Sequence, residues 1–522
     1  MNDDTDKSHM RMSQWLVLVA CMLLFVAFRV PWIGHLLTND EASNLCGVRA
    51  FAGGGYDYWS QWFWHHPPIF STLLLLVHPL EAGFAERAEW LMLGVSALNL
   101  LMLFVLTRSL SGSGPALWTS FCYAVMPVAR CYDLWLKQDS LAVLFGLLAI
   151  YAFQKKRHLY SGLALGLAFL AKEVAMFYAA GIAILWFLQE PRHRRFGDLF
   201  AVALVSILVS AWWYLLFSVS IEYFIAFAVN SSTQWTDVET WAQPWYFFLQ
   251  KLLVDLGPVG ILLCVVGLLV LEFDFHRRFA QKPWTERIRD DVMPAWFLAV
   301  LLTGYILFSS SRGKAAWFTS ILYPLFAVPQ GLGVYAILRL LENGIRNFAS
   351  RLPRLVSVWP RVISGAMVVA FVIPIVMGGW GADYEKYLQK QYYWMWWGAD
   401  TSRAAARMMN RVVKNGERVL ITPMFYWDRL PPKPCAIFVY YLKPMPAILR
   451  RFDTPFDSLI ADIRKYQIDW IMISPPPGIG ENALIRPMMR KYGLNPLLLR
   501  GACIFKTDRI YKEAGANIQS HE

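Results

Sequence analysis

An acidic pair, Asp40–Glu41, follows the first apolar segment of the sequence after a few residues. A carboxylate placed there is able to take a proton from a substrate hydroxyl. An acidic pair is also a common solvated loop end, so the pair alone leaves both interpretations open. It lies beside the predicted membrane surface, where charges are costly, and it opens the longest loop of the apolar region. Asp40 and Glu41 are therefore candidate catalytic residues.

Charges of both signs occur at two further places in the apolar region. Four of them stand close together between two apolar stretches: Arg130, Asp133, Lys137 and Asp139. The pair Lys172–Glu173 separates two short apolar stretches. The first group is equally consistent with an ion-paired loop, and the second with a turn at the membrane surface. Asp139 is a third candidate carboxylate, and Lys172 and Arg130 are candidate ligands of an anion.

More cations fall in loops that are predicted to lie on the outer side. Arg312 and Lys314 follow a run of serines, and His65–His66 lies in the first long loop. Arginine and lysine bind phosphate through charge-assisted hydrogen bonds, so a phosphate-bearing ligand is the natural partner. The histidines are able to join that site or to ligate a divalent metal, for which His66 and Asp139 are the candidates. No cofactor is required by the pattern.

The composition indicates an integral membrane protein. Of the 522 residues 57% are hydrophobic and only 16% are charged, against about 25% charged in soluble domains. The net charge of +12 would suggest nucleic acid in a soluble protein, but here the basic residues cluster in short loops, so no nucleic acid is expected. The seven cysteines form no CxxC motif, which disfavours a metal cluster.

Hydropathy predicts about eleven membrane-spanning helices of roughly 20 residues, three of them short. They lie near residues 13–33, 88–107, 115–130, 139–154, 159–172, 174–189, 198–219, 246–271, 293–309, 317–339 and 361–381. The N-terminus and alternate loops are basic, which places them in the cytoplasm. An odd number of spans then puts the C-terminal region outside, periplasmic or extracellular. We expect the cell inner (plasma) membrane as the location.

Two domains are predicted. Residues 1–381 form the transmembrane region, whose first outer loop, 34–87, contains a tryptophan cluster typical of an interfacial aromatic belt. Within this loop, Ile69–Leu80 is apolar but too short to span, which indicates a re-entrant or interfacial helix. Residues 382–522 form a soluble α/β domain, in which helical and strand patterns alternate. Cys435 and Cys503 lie in this domain, and spacing leaves a disulfide between them undecided.

Several short motifs of the membrane region, taken in order, resemble the GT-C glycosyltransferases of the protein O-mannosyltransferase and aminoarabinose transferase group. The resemblance covers residues 13–340. It rests on Asp40-Glu41-Ala42, on His65-His66-Pro67-Pro68-Ile69-Phe70, on Asp139-Ser140-Leu141, on the glycine-rich stretch Gly162–Lys172, and on Ser311, Lys314, Phe318, Tyr323 and Pro324. In the second motif, histidine stands where the family commonly has lysine.

The resemblance implies a hexosyl- or pentosyltransferase that moves a sugar from a polyprenyl-phosphate donor to a glycan, lipid or protein acceptor outside the cytoplasm. It implies inverting displacement, with Asp40 as the base, and Asp139 as the residue that orients the acceptor or a basic partner. The leaving phosphate would be stabilised by cations chosen from His65, His66, Lys172, Arg312, Lys314 and Arg130. The alternative is a transporter or flippase of a lipid-linked sugar or similar anionic lipid, although no internal repeat favours it.

Overall fold

The chain folds into two compact units. The computed structural model describes residues 11–35, 37–53, 66–188, 195–216, 244–280, 300–306, 309, 320–349, 399–414, 416–422, 447–449, 455–473, 485–494, 497–499, 502–508 and 510–511. One unit comprises Met1–Gly34 and Phe63–Lys386, and the other comprises His35–Trp62 and Tyr387–Glu522. The second unit thus takes in residues 35–62, which the sequence-based division assigned to the membrane region.

The first unit is helical. Its described helices are α1 (Met12–Arg29), α3 (Ile69–Leu75), α4 (Phe84–Ser111), α5 (Ser113–Val125), α6 (Pro127–Tyr132), α7 (Asp139–Gln154), α8 (His158–Ala171), α9 (Met176–Leu188), α10 (Phe196–Leu216), α11 (Phe247–Ala280) and α12 (Tyr323–Ala349). Short 3-10 turns at Val30–Trp32 and Glu173–Ala175 follow α1 and precede α9. The most extensive helix contacts are those of α8 with α7 and α10, and of α12 with α11 and α5. Helix α5 also packs along α4.

Five of the described helices are long and apolar enough to cross a membrane, judged by length and composition. They are Met12–Trp32, Phe84–Ser109, Phe196–Leu216, Phe247–Val270 and Ser320–Gly344. All five coincide with spans predicted from hydropathy, and α7, α8 and α9 coincide with the three short predicted spans. The predicted polytopic helical fold class is confirmed. The predicted span 361–381 lies outside the described residues, so the count of about eleven stays a prediction.

One predicted span is interrupted and another is bent. Residues 115–130 do not form one helix, because α5 ends at Val125 and α6 starts with Pro127, whose ring nitrogen has no hydrogen to continue the α5 ladder. In α11, Gly257 adopts φ 66° and ψ 169° immediately before Pro258, which breaks the helix there. Only glycine takes such a φ without strain.

Glycines on α11 and α12 allow the backbones of these two helices to approach closely. A Cβ atom on Gly267 would lie 1.9 Å from the carbonyl oxygen of Pro329, and one on Gly333 would lie 2.2 Å from that of Leu263. Both distances are shorter than any real contact, so the backbones touch only because both positions lack a side chain. Small residues allow this kind of packing between membrane helices.

We therefore expect Gly267→Ala to destabilise the protein by about 1–3 kcal/mol through overpacking. Gly94 is the matched control, because it also lies within a helix but a Cβ atom there would meet nothing within 4 Å. Gly94→Ala should be neutral or stabilising by up to about 1 kcal/mol, since alanine is the better helix former. Thermal unfolding in detergent checks both variants, and equal midpoints for the two would contradict the packing argument.

The second unit contains helix α2 (Asn39–Ala52) and an α/β domain. The described helices of that domain are α13 (Ala399–Val412), α14 (Phe456–Tyr466) and α15 (Ile485–Tyr492); its strands are β1 (Val419–Thr422), β2 (Ala447–Leu449), β3 (Trp470–Ile473), β4 (Leu497–Leu499) and β5 (Ala502–Lys506). The sheet order is β2-β1-β3-β5-β4. β1 is parallel to β2 and β3, while β5 is antiparallel to β3 and β4.

The core of this domain lies between the sheet and the helices α14 and α15. Ile463 of α14 and Met488 of α15 are fully buried against Ile471 and Phe505 of the sheet. Helices and strands alternate here as the sequence pattern suggested, whereas α15, β2 and β4 were not predicted. Cys503 is a free thiol buried in this core, and Cys435 lies outside the described residues. Burial raises the pKa of the Cys503 thiol, which makes it a poor nucleophile.

Candidate functional site

A lysine–aspartate ion pair forms where α7 begins and α8 ends. Lys172 Nζ lies 2.6 Å from Asp139 Oδ1 and donates a hydrogen bond to it. Asp139 is the first residue of α7, where the helix dipole favours a negative charge. Lys172 directly follows α8 in an extended conformation, which turns the chain away from the helix axis. A short turn joins α7 to α8, so the start of one helix and the end of the other lie together.

The pair is only partly buried. The side chains of Lys172 and Asp139 retain 21% and 12% of their exposure, whereas the Arg29 and Lys251 side chains described below retain at most 2%. Glu173, which opens the next 3-10 turn, interacts electrostatically with both residues. The Lys172 ammonium group is therefore partly exposed at one end of the helix bundle. It is able to bind an anion that reaches this end.

A buried ion pair fixes the segment that leads into Asp139. Arg29 of α1 donates two hydrogen bonds to Asp133 Oδ2, at 2.8 Å from Nε and 2.6 Å from Nη2. The hydroxyl of Tyr123 donates to Asp133 Oδ1 at 2.6 Å, and Arg29 also donates to the carbonyl oxygen of Ala124 at 2.8 Å. Burial raises the pKa of the Asp133 carboxyl, and the Arg29 charge opposes that change. The network ties α1 and α5 to the residues before α7.

Replacing only one partner of this pair should strongly destabilise the protein. Arg29→Met would leave the Asp133 carboxylate buried without its counter-ion, at an expected cost of about 3–5 kcal/mol in the free energy of unfolding. The double variant Arg29→Met/Asp133→Leu removes both charges and should recover most of that loss. Arg157→Met, at an exposed arginine, is the control and should change the thermal midpoint little. Equal midpoints for Arg29→Met and Arg157→Met would refute this role.

A second buried ion pair lies between α11 and α12. Lys251 Nζ lies 2.6 Å from Asp255 Oδ1 on the same helix, and the two side chains are 2% and 0% exposed. The Tyr323 hydroxyl donates to the other oxygen of Asp255. Neither this pair nor Arg29 was identified from the sequence. The available signals were opposite charges four residues apart in the predicted span 246–271, and an arginine within the span 13–33.

The acidic pair lies at the start of α2 in the second unit. Thr38 and Glu41 form a capping box: the Glu41 carboxylate accepts from the Thr38 backbone N–H at 2.7 Å, and the Thr38 hydroxyl accepts from the Glu41 N–H at 3.3 Å. His35 Nε2 lies 3.1 Å from the other carboxylate oxygen. Glu41 is completely buried, whereas Asp40 beside it is half-buried. These contacts give Glu41 a part in positioning the helix that carries Asp40.

Of the remaining candidate phosphate ligands, the structure describes only Arg130 and His66. The Arg130 guanidinium lies 5.1 Å from the centre of the Trp32 ring, and His66 is half-buried directly before the buried Pro67. His65, Arg312 and Lys314 lie outside the described residues. Within the described ranges, no group of three or more His, Cys, Asp or Glu residues lies together as a metal site would require. His66 and Asp139 accordingly belong to no such group there.

The chain is similar to one family model and to several solved structures. Residues 65–231, which include Asp139 and Lys172, match the family model described as dolichyl-phosphate-mannose-protein mannosyltransferase. The structure of ArnT from Cupriavidus metallidurans bound to undecaprenyl phosphate is similar, with a TM-score of 0.61 and 14% identity over 95% of this chain and 98% of that one. The comparison with curated protein sequences gave no match.

A second similar structure is the oligosaccharyltransferase of Archaeoglobus fulgidus in the apo form. Its TM-score is 0.57 at 12% identity, over 88% of this chain and 69% of that one. At such identities the likeness establishes the fold, which both structures share with this chain over most of its length. The predicted resemblance to GT-C enzymes is confirmed at that level.

Proposed function

We propose that this protein, which has the GT-C glycosyltransferase fold, is an integral-membrane glycosyltransferase that takes its sugar from a polyprenyl-phosphate donor. The acceptor is a glycan, lipid or protein on the outer side of the membrane, and the sugar is a hexose or pentose. The basic loops support an inner-membrane location with a cytoplasmic N-terminus and an outer C-terminal domain. The fold comparisons do not favour the transporter or flippase alternative.

The observation that carries the proposal is the Lys172–Asp139 pair. It lies within the residues that match the mannosyltransferase model, and its cation is partly exposed at one end of the bundle. A phosphate leaving group gains negative charge as its bond to the sugar breaks, and a positioned ammonium group stabilises that charge. Asp139 holds the ammonium group in place before the donor arrives.

The proposed reaction is a single displacement. The acceptor hydroxyl oxygen forms a bond to the anomeric carbon while the bond from that carbon to the phosphate oxygen breaks. The hydroxyl proton passes to Asp40, and the products are the glycosylated acceptor and the polyprenyl phosphate. Lys172 stabilises the departing phosphate, and His65, His66, Arg130, Arg312 and Lys314 are further candidates for this contact. One base is sufficient, in contrast to the two carboxylates of most glycosidases.

The proposal is tested with the purified full-length protein in lipid nanodiscs. A radiolabelled polyprenyl-phosphate sugar is supplied together with envelope extract from cells that lack the protein. Release of polyprenyl phosphate, and transfer of label to an extract component seen by mass spectrometry, are the expected results. Label that crosses the bilayer of proteoliposomes with the donor intact would instead identify a flippase. The absence of both release and transfer would refute the proposed enzyme.

A further inference from the structure

The buried triad of Lys251, Asp255 and Tyr323 has no role in the proposed displacement. All three side chains belong to helices long enough to span the membrane, and all are almost completely buried. Removing two charges from water is expensive even when they pair, and a pair of apolar side chains would often serve stability as well. Ionisable groups kept inside membrane segments are therefore functional candidates by default.

The triad connects to the segment before Asp139 through a row of aromatic rings. The ring of Tyr323 stacks on that of Tyr132 with centroids 5.7 Å apart and planes 10° apart. Tyr132, at the end of α6, meets Trp135 edge to face at 4.7 Å. Lys137 Nζ lies 4.7 Å from the centre of the Trp135 ring. Contacts thus run without a gap from Asp255 into the middle of residues 133–138, the loop that ends where α7 begins.

This loop has little freedom of its own. Each of its residues from Asp133 to Gln138 is buried, and Ser96 of α4 donates a hydrogen bond to the Asp133 carbonyl at 3.0 Å. The hydrogen bonds between backbone groups of the loop are local, from Trp135 N–H to the Tyr132 carbonyl and from Lys137 N–H to the Trp135 carbonyl. Such bonds do not fix the loop relative to neighbouring helices. Asp133 is fixed by Arg29 of α1 at one end. Both of these attachments are at Asp133, and the aromatic row supplies a further one beyond it, to α12 and through Asp255 to α11.

We propose that Lys251, Asp255 and Tyr323 are positioning residues for the loop 133–138 and, through it, for Asp139 and the Lys172 ammonium group. The Lys251 ammonium group holds the Asp255 carboxylate, which accepts the Tyr323 hydroxyl and thereby sets the plane of the phenol ring. That plane determines whether Tyr132 can stack on it. The effect on turnover rests on the proposed function, whereas the effect on the loop does not.

The direct test is hydrogen exchange of the full-length protein in nanodiscs. Tyr323→Phe keeps the ring and removes only the hydroxyl, and peptides that cover residues 133–138 should then exchange about 5- to 30-fold faster, as expected from the loss of one buried hydrogen bond. Tyr335→Phe is the control: it makes the same chemical change on the same helix, where the hydroxyl contacts only Arg339 among the described partners. It should leave the loop unchanged.

Turnover supplies the second readout. In the transferase assay, Tyr323→Phe should lower kcat by about tenfold while KM stays within about twofold, since positioning acts on the reacting geometry rather than on donor binding. Asp255→Asn, which keeps an acceptor for the tyrosine hydroxyl, should lose less than Asp255→Leu. Loop exchange equal in Tyr323→Phe and the wild type overturns the inference. Faster loop exchange in a protein that transfers no sugar overturns the proposed function and upholds the inference.

Discussion

Lys172→Met is expected to lower kcat for sugar transfer by about two to three orders of magnitude, the usual loss when one preorganised stabiliser of a developing anion is removed. The fold should survive, because Asp139 is the first residue of α7, where the helix dipole stabilises its carboxylate without Lys172. Turnover with saturating donor and the thermal midpoint in detergent are measured on the same preparation. The two effects are then separable.

Lys155→Met is the matched control for this variant. Lys155 is exposed after α7, and its Nζ lies 5.6 Å from the centre of the Tyr151 ring. It should retain normal turnover. Lys172→Arg keeps the positive charge in a different geometry, so its turnover should lie between that of the wild type and that of Lys172→Met. Turnover of Lys172→Met within threefold of that of Lys155→Met would remove Lys172 from the proposed mechanism.

Asp40→Asn is expected to lower kcat by about two to four orders of magnitude, because the amide no longer accepts the proton of the attacking hydroxyl. The substitution changes one atom, and Thr38 with Glu41 still caps the helix that carries it. Stability should therefore stay close to that of the wild type. Membrane assays with protein quantified by immunoblot are sufficient for this measurement.

Asp198→Asn is the comparison for this loss of a carboxylate. Asp198 lies at the start of α10, 3.6 Å from His158, and takes no part in the proposed chemistry. Its transfer rate should be normal. If Asp40→Asn also transfers at the normal rate, the base is a different group, and Glu41 and Asp139 become the residues to substitute next.

The helices of the first unit were predictable because apolar segments must satisfy their backbone hydrogen bonds internally. Residues 139–154 were predicted as a span and form α7 with those same bounds. The interruption at Pro127 was also predictable from the sequence, since proline cannot continue the backbone hydrogen bonds of a preceding helix. By contrast, the three-residue strands β2 and β4 carry too little pattern to identify, and they depend on neighbours in the sheet.

The candidate site was predictable residue by residue but not in its pairings. Lys172 and Asp139 were both named from the sequence, yet nothing there shows that they form a pair with each other. Asp133 was grouped with Arg130 and Lys137 as a mixed loop, but its ion pair is with Arg29, which lies 104 positions away. A partner at that separation is selected by the packing of α1 against α5. Local spacing carries no information about such packing.

The break at Gly257 changes how the length of α11 is interpreted. An unbroken helix from Phe247 to Ala280 would measure roughly 51 Å, well over the about 30 Å of hydrocarbon in a bilayer. The apolar part after the break, residues 258–271, is roughly 21 Å long and too short to cross alone, so the crossing segment Phe247–Val270 includes the break. The preceding piece, about 15 Å long, supplies the rest of the crossing. The charges at positions 251 and 255 lie in this first piece, so the break separates the paired charges from the wholly apolar part of the crossing segment.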